Sequence, residues 1–550
     1  MNSSNIFHHP VLGALKGQVI NGRLLQLRNI PYGSIPQRFA RSTLRDDLPS
    51  DRTDDKIFDA TKLPPASIQP LGAPKTDCIS NQLPTDLVEG YDEPQSKECL
   101  RLNITVPVST TPSSSLPVIV FLHGGAFYLG SGTRPYYNPT NFCEHALQVN
   151  RPHVFVSMNY RLGALGFFHS RDADDLIPAN NGLHDQSVGF QWIRKFIQGF
   201  GGDAGNISAV GQSAGAMSLS LHNLSGTDNV WKRSIQFSGS LVTMPVQTPA
   251  EHQGNFLSQA KKLGIETENR SSRDIAQSML EVSVEKIRET GYVGLPCSQS
   301  EMLPYDRASM ALTRHRAPTS SHLQSQLVSS ASYDGGISYN MMSKDSSRKG
   351  HARAFLHIAR DVLGDADGLA LCSIYGIEET MSDSEALQAV CLFESDIGFF
   401  VAALATCEAD LIPKTYFHVF DLPDPFEGPI RKQGEFATHT FDVVTLLGGV
   451  SEERLPEGYK PVVGKWRDTI LYFVVSGKAP CEEYVGKGRK GRRGLVVNKE
   501  GVRDVGEEEW LDNDQGRRRR LLELAQKVKG DAGCDVLWMD VGRRFLMKGE

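Results

Sequence analysis

Ile207-Ser208-Ala209-Val210-Gly211-Gln212-Ser213-Ala214-Gly215-Ala216-Met217-Ser218-Leu219 is the stretch that decides the fold. A short apolar run ends at Gly211, and small and apolar residues able to open a helix begin at Ala214. Between them lies G-x-S-x-G. A strand that turns sharply into a helix lifts a serine hydroxyl above a sheet edge, and glycine on either side leaves room for so tight a turn. A lone G-x-S-x-G arises by chance about 0.4 times in a chain this long and this rich in glycine, so its context carries the weight. Here the context is strand, turn and helix.

Upstream, Leu116-Pro117-Val118-Ile119-Val120-Phe121-Leu122 is nearly continuous in apolar residues and runs directly into His123-Gly124-Gly125-Ala126-Phe127. A glycine-rich loop at a strand end can bring backbone N–H groups close to a developing oxyanion. Val154 to Met158 is a second apolar run, Ile207 to Val210 a third and shorter one, Thr415 to Phe420 reads as a further strand, and Ser187 to Gly199 reads as a helix. Unbroken apolar strands are those of a parallel sheet covered on both faces, and their alternation with helices predicts an α/β fold. Before residue 101 the chain reads as short strands, among them Gln18 to Ile30, and long loops. Residues 245–320 and Leu356 to Ala405 read as helices. No repeat and no long linker divides the chain, so 1–550 is expected to be one domain.

The composition narrows the function. The 550 residues are 40% hydrophobic, 22% charged and 8% aromatic, which excludes a disordered chain. The 58 basic and 64 acidic residues give a net charge of −6, which demands neither a nucleic-acid nor a membrane partner. Nine cysteines without a C-x-x-C pair exclude a disulfide scaffold and a zinc ribbon. No window approaches about 18 apolar residues without breakers, so no membrane span is expected. Met1 to Lys16 has no basic start leading into an apolar run, which points to the cytoplasm. Two basic clusters, Lys487 to Arg493 and Arg517 to Arg520, read as solvated surface.

The chain resembles the type-B carboxylesterase/lipase family, the carboxylesterase and cholinesterase branch of the α/β-hydrolases. The resemblance runs from about Gly17 to about Pro480. It rests on Ile30-Pro31-Tyr32 with Arg38-Phe39, Cys99-Leu100-Arg101-Leu102-Asn103, and the loop at His123. Asn159-Tyr160-Arg161-Leu162-Gly163, Leu165-Gly166-Phe167 and Asp185-Gln186 continue it. Trp192, Phe200-Gly201-Gly202-Asp203, Gly211 to Gly215, Ser238-Gly239-Ser240 and Gly477-Lys478-Ala479-Pro480 complete it. Ala437-Thr438-His439-Thr440-Phe441-Asp442 looks most like fungal members, often found beside biosynthetic genes.

The resemblance implies a mostly parallel central sheet with inserted helices around a gorge, a serine carboxylic ester hydrolase, and no metal or cofactor. Its partner would be a small-molecule ester. The family's chain order is Ser, then Asp or Glu, then His. Ser213 is the implied nucleophile. Asp334, followed by Gly335 and preceded by the strand-like Leu327 to Ser330, is the implied acid. Asp306, Asp361, Asp365 and Asp367 lie in charged or helix-like text and read as solvated. His439, flanked by Thr438 and Thr440, is the implied base over His351, His357 and His418. Backbone N–H groups of Gly125, Ala126 and Ala214 would hold the oxyanion, with Gly124 shaping the loop.

Departures bear on the substrate. Gln212 stands where the family usually has Glu, and no Trp lies between Cys78 and Cys99 to bind a quaternary ammonium. Cholinesterase activity is therefore not expected; an ester or lactone of a biosynthetic route is. Cys78 and Cys99 match the family's N-terminal disulfide pair, which suits an oxidising compartment. A transacylase using the same triad and a non-catalytic relative of the same fold are the alternatives. Retention of all three triad residues argues against the second.

Overall fold

The protein is described by a computed structural model over residues 5–48, 57–225, 230–244, 246–304, 309–315, 322–409, 412–428, 434–484 and 492–547. Asp306 and residues 487–491 of the first basic cluster lie outside these.

Eleven strands form the main sheet. In chain order they are β1 (Gln18–Ile20), β2 (Leu24–Pro31), β3 (Arg101–Pro107), β4 (Leu116–Leu122), β5 (Val154–Met158) and β6 (Gly202–Gln212). They continue with β7 (Arg233–Phe237), β8 (Ser325–Ala331), β9 (Lys414–Phe420), β10 (Arg493–Asn498) and β11 (Gly501–Gly506). Across the sheet the order is β11-β10-β9-β8-β7-β6-β4-β5-β3-β2-β1. Pairing is parallel from β5 through β10, and antiparallel at both margins. The expected α/β-hydrolase sheet is thus present.

Strand β4 shows why the sheet is buried on both faces. Ile119 and Phe121 pack with Phe142, Trp466 and Ile470, from the helices Thr140–Gln148 and Tyr459–Ser476. Val118, Val120 and Leu122 pack with Trp192, Ile193 and Phe196 of the helix Asn181–Phe196. Side chains alternate along a strand, so a strand covered on both sides must be apolar throughout. Chain order reverses direction between β4 and β6, and loops leaving that switch point open the crevice where α/β folds bind ligands.

Three readings need correction. Cys78 and Cys99 are free thiols. Cys78 sits in the core cluster that contains Phe121, and Cys99 in the cluster that contains Val120. These clusters lie on opposite faces of the sheet, and a disulfide cannot reach through it.

The second concerns the absence of a long apolar window. The continuous helix Asp383–Glu408 has 26 residues and the length and hydropathy to cross a membrane, but 94% of its apolar window is buried inside the protein. It includes a π-helical turn, Ser395–Phe400.

The third concerns Arg517 and Arg518, which are buried rather than solvated. Arg517 Nε donates to Asp396 Oδ2 at 2.7 Å and Arg518 Nε to Asp396 Oδ1 at 2.9 Å. Tyr375 Oη adds a third donor at 3.0 Å. Burial pushes the Asp396 carboxyl up, but the two guanidiniums outweigh it and hold the carboxyl below its ordinary value. Asp396→Ala removes the carboxylate that two buried cations share, at a cost of about 3–5 kcal/mol. A lower urea midpoint with an unchanged m-value checks this.

Candidate active site

Strand β6 ends at Gln212, and the helix Ala214–Leu224 begins one residue later. Ser213 between them has φ 54° and ψ −122°, a conformation that L-residues rarely adopt. The turn is held by Ser213 N donating to Phe237 O and Met217 N donating to Ser213 O, both at 2.8 Å. A Cβ on Gly211 would stand 2.4 Å from Gly215 O, and one on Gly215 2.1 Å from Leu122 O. Both glycines are therefore required by close backbone packing. Ser213 itself is half-buried, whereas the residues around it are buried.

The loop after β4 turns through three consecutive positive φ values, 107° at Gly125, 55° at Ala126 and 56° at Phe127. Its outer anchors are Gly163 N on Phe127 O at 2.7 Å and Tyr160 Oη on His123 O at 2.9 Å. Gln69 brackets Gly130, accepting from its N–H at 2.8 Å and donating to its carbonyl at 3.0 Å. His123 Nδ1 donates to Gly124 O at 2.8 Å, and its ring stacks on Tyr160. Burial pushes this imidazole down to about 3, so it is neutral. Among the described residues, the N–H groups of Gly125, Ala126 and Ala214 donate to no acceptor. Orphaned N–H groups beside a strained serine can receive a developing negative charge.

A Cβ on Gly124 would stand 2.2 Å from Gln212 Oε1 and 2.8 Å from Ser213 Cβ. Gly124→Ala is expected to lower kcat for a p-nitrophenyl ester by about 10²–10³ and to lower the thermal midpoint as well, because Gln212 O also stands 2.8 Å from that Cβ.

Asp334 lies just beyond β8. Its Oδ2 accepts from Ala331 N at 2.8 Å and its Oδ1 meets His439 Nδ1 at 2.7 Å. The acceptor-only carboxylate puts the proton on Nδ1 and leaves Nε2 as an acceptor. Two links align the acid and histidine loops, Tyr333 N on Ala437 O and Ala437 N on Ser332 Oγ, both at 3.0 Å. Phe399, from the π-helical turn, sets its ring edgewise on His439 with centroids 5.4 Å apart. A Cβ on Gly335 would stand 2.2 Å from Cys391 O, which explains an acid followed by glycine.

Asp334 and His439 are thus in contact, and the Gly124–Gly125 loop abuts Ser213. Among the described residues, no hydrogen bond joins Ser213 Oγ to His439. The Nε2 face of His439 is taken instead by Gln212 Nε2 at 3.0 Å.

The other candidates are elsewhere. Asp361, Asp365 and Asp367 pair with Arg544, Arg360 and Lys527. His418 is buried against Trp466, and His351 against Phe545.

Sequence reasoning missed two further carboxyls. Asp442 accepts from Val443 N at 2.7 Å and from Ser238 Oγ at 3.4 Å; burial, then the Asp334 charge, pushes it up to about 7. Glu394 accepts from Ser338 Oγ at 2.8 Å, and burial pushes it up to about 8.

Glu394 makes stability pH-dependent. Between its ordinary value of 4.5 and about 8, the folded chain keeps a proton that the unfolded chain has released. Stability therefore falls as pH rises through that window. Glu394→Gln is expected to flatten this decline, read as thermal midpoints from pH 5 to pH 9.

Comparison with known proteins agrees with this architecture. A model described as the carboxylesterase family matches residues 8–359. A para-nitrobenzyl esterase of Bacillus subtilis (strain 168) is 33% identical over 246 residues, 44% of this chain and 46% of that protein. Lipase 3 of Yarrowia lipolytica (strain CLIB 122 / E 150) is 32% identical over 242 residues, 42% of this chain and 45% of that protein. The matched stretch thus spans about half the length of these curated relatives. A solved PNB esterase structure superimposes with a TM-score of 0.69 at 21% identity, covering 94% of this chain and 99% of that one.

Proposed function

The chain belongs to the carboxylesterase family, and on that footing we infer that it is a serine hydrolase of carboxylic esters working through an acyl-enzyme on Ser213. The observation that carries this reading is the strained Ser213 set among the orphaned N–H groups of Gly125, Ala126 and Ala214. The 2.7 Å contact between Asp334 and His439 completes the set.

In the proposed mechanism Ser213 Oγ attacks the ester carbon while its proton passes to His439 Nε2. Asp334 holds the Nδ1–H tautomer and stabilises the imidazolium. The carbonyl oxygen, now negative, sits among the three N–H groups. Collapse breaks the C–O bond, and the imidazolium gives its proton to the leaving alkoxide. Water then attacks the acyl-serine with His439 again as base, releasing the acid. We assign no metal or cofactor to this reaction. The fungal-like segment Ala437 to Asp442 supports an ester or lactone of a biosynthetic route as the natural substrate. An unchanged product profile after gene deletion in the host would remove that assignment.

The direct test is hydrolysis of p-nitrophenyl acetate and butyrate by the purified protein, with and without acceptor alcohols. Release of free acid in proportion to p-nitrophenol supports a hydrolase. Diversion of most of the acyl group to the alcohol would make the protein a transacylase.

A further inference from the structure

The side chain of Gln212 is held in one orientation by a relay that starts two elements away. Arg134 and Asp77 form a buried ion pair at 2.6 Å. Asp77 fixes Asn81, whose Nδ2 donates to Asp77 Oδ1 at 2.9 Å, so Asn81 Oδ1 is turned outward as an acceptor. Thr440 Oγ1 donates to that oxygen at 2.8 Å and has only its lone pairs left for Gln212. Gln212 must therefore present Nε2, which donates to Thr440 Oγ1 at 2.7 Å and to His439 Nε2 at 3.0 Å. Its other end agrees, because Tyr137 Oη donates to Gln212 Oε1 at 3.2 Å. Gln212 is 1% exposed, and Thr440 holds φ 73° to meet it.

The consequence is chemical. His439 Nε2 has a single lone pair in the tautomer that Asp334 selects, and the Gln212 amide occupies it. The Ser213 hydroxyl needs the same lone pair before its proton can move. We propose that Gln212 is a positioning residue that latches His439, capping Nε2 in the resting protein and yielding it to Ser213 Oγ when an ester is bound. A glutamate at this position could not do the same. Its carboxylate accepts, and so draws a proton onto Nε2 instead of occupying the lone pair. The inference rests on the esterase reading.

Gln212→Ala and Gln212→Glu test it, with rates of Ser213 labelling by a fluorophosphonate followed from pH 5 to pH 10. The groups facing His439 in these profiles are Asp334 at its Nδ1, Asp442 on the following helix, and Tyr137 and Asp77 through the Gln212 network. Glu394 faces it through Asp334, and Phe399 is apolar. Only the group at position 212 differs between variants.

Gln212→Ala is expected to label about three- to tenfold faster than wild type on the alkaline plateau, because the lone pair is free from the start, with the gain fading on the acid limb where a proton holds the lone pair in both proteins. Gln212→Glu is expected to move the acid limb upward by about one pH unit, so that labelling at pH 6 drops about tenfold and recovers above pH 9. A merely structural glutamine would slow both variants alike at all pH values, and that result overturns the latch. So do profiles that superimpose on wild type. A wild type that is not labelled at Ser213 removes the esterase reading and the latch with it. A wild type labelled at Ser213, with neither variant behaving as stated, removes the latch alone. Near-ultraviolet circular dichroism of each variant reports the fold independently of labelling.

Discussion

Ser213→Ala is expected to lower kcat/KM for p-nitrophenyl butyrate by about 10⁵-fold, leaving only the slow background that bound N–H groups sustain. The size follows from the division of labour in the site. Without Oγ no acyl-enzyme forms, and His439 has no oxygen at which to remove a proton. Water would have to enter in place of the serine, in a turn built around a side chain at φ 54°. Alanine can occupy that backbone as serine does, so the fold is expected to persist. Its thermal midpoint should shift little, because alanine keeps the Cβ and with it the same backbone strain. Stopped-time assays at high protein concentration, together with a thermal melt, separate lost chemistry from lost structure. A residual rate within tenfold of wild type would place the nucleophile elsewhere.

Asp334→Asn carries the second large effect, about 10⁴-fold in kcat. The amide is nearly isosteric with the carboxylate, and its Oδ1 could still accept from His439 Nδ1. Its Nδ2, however, would face the Ala331 N–H, which now donates to Asp334 Oδ2 at 2.8 Å. Two donors cannot share that line, so the amide is driven to place Nδ2 toward His439. That forces the proton onto Nε2 and removes the base. The loss should lie in kcat with KM little changed, because Asp334 is fully buried and touches no substrate. Raising the pH should not restore the rate, since the defect is one of tautomer rather than of charge. A KM effect with unchanged kcat would show that Asp334 only shapes substrate binding.

The parts of this molecule that were legible in the sequence are those where one local pattern has one physical solution. Leu116 to Leu122 is apolar at every position past Pro117, which suits a strand covered on two faces. Gly211 and Gly215 bracket a serine, and the structure puts both glycines within contact of other backbone. The acid and the histidine were harder to place. Asp334 and His439 come together only because Tyr333 N and Ala437 N fasten two distant loops, which no spacing announces.

Other features escaped because charge was read as solvation. Arg517 and Arg518 look like surface until Asp396, far away in an apolar helix, supplies their acceptor. The hairpin of β10 and β11, Arg493–Asn498 with Gly501–Gly506, hid in the same way. Its short run Leu495-Val496-Val497 lies beside Arg492 and Arg493, which pair with Glu408, Glu507 and Asp504. The disulfide implied for Cys78 and Cys99 failed for a reason that only the tertiary structure supplies, a sheet standing between them. The role of Gln212 was equally invisible, because the orientation of its amide is settled by Asp77, Asn81 and Thr440 together.

Every role proposed for the site depends on the covalent reactivity of one oxygen, Ser213 Oγ. Wild-type protein should be treated with a fluorophosphonate, digested, and the modified peptide sequenced by tandem mass spectrometry. Stoichiometric addition to Ser213 is expected, absent in Ser213→Ala and slowed about 10³-fold or more in His439→Ala. Addition at another residue, or equal labelling of the Ser213→Ala protein, would contradict it.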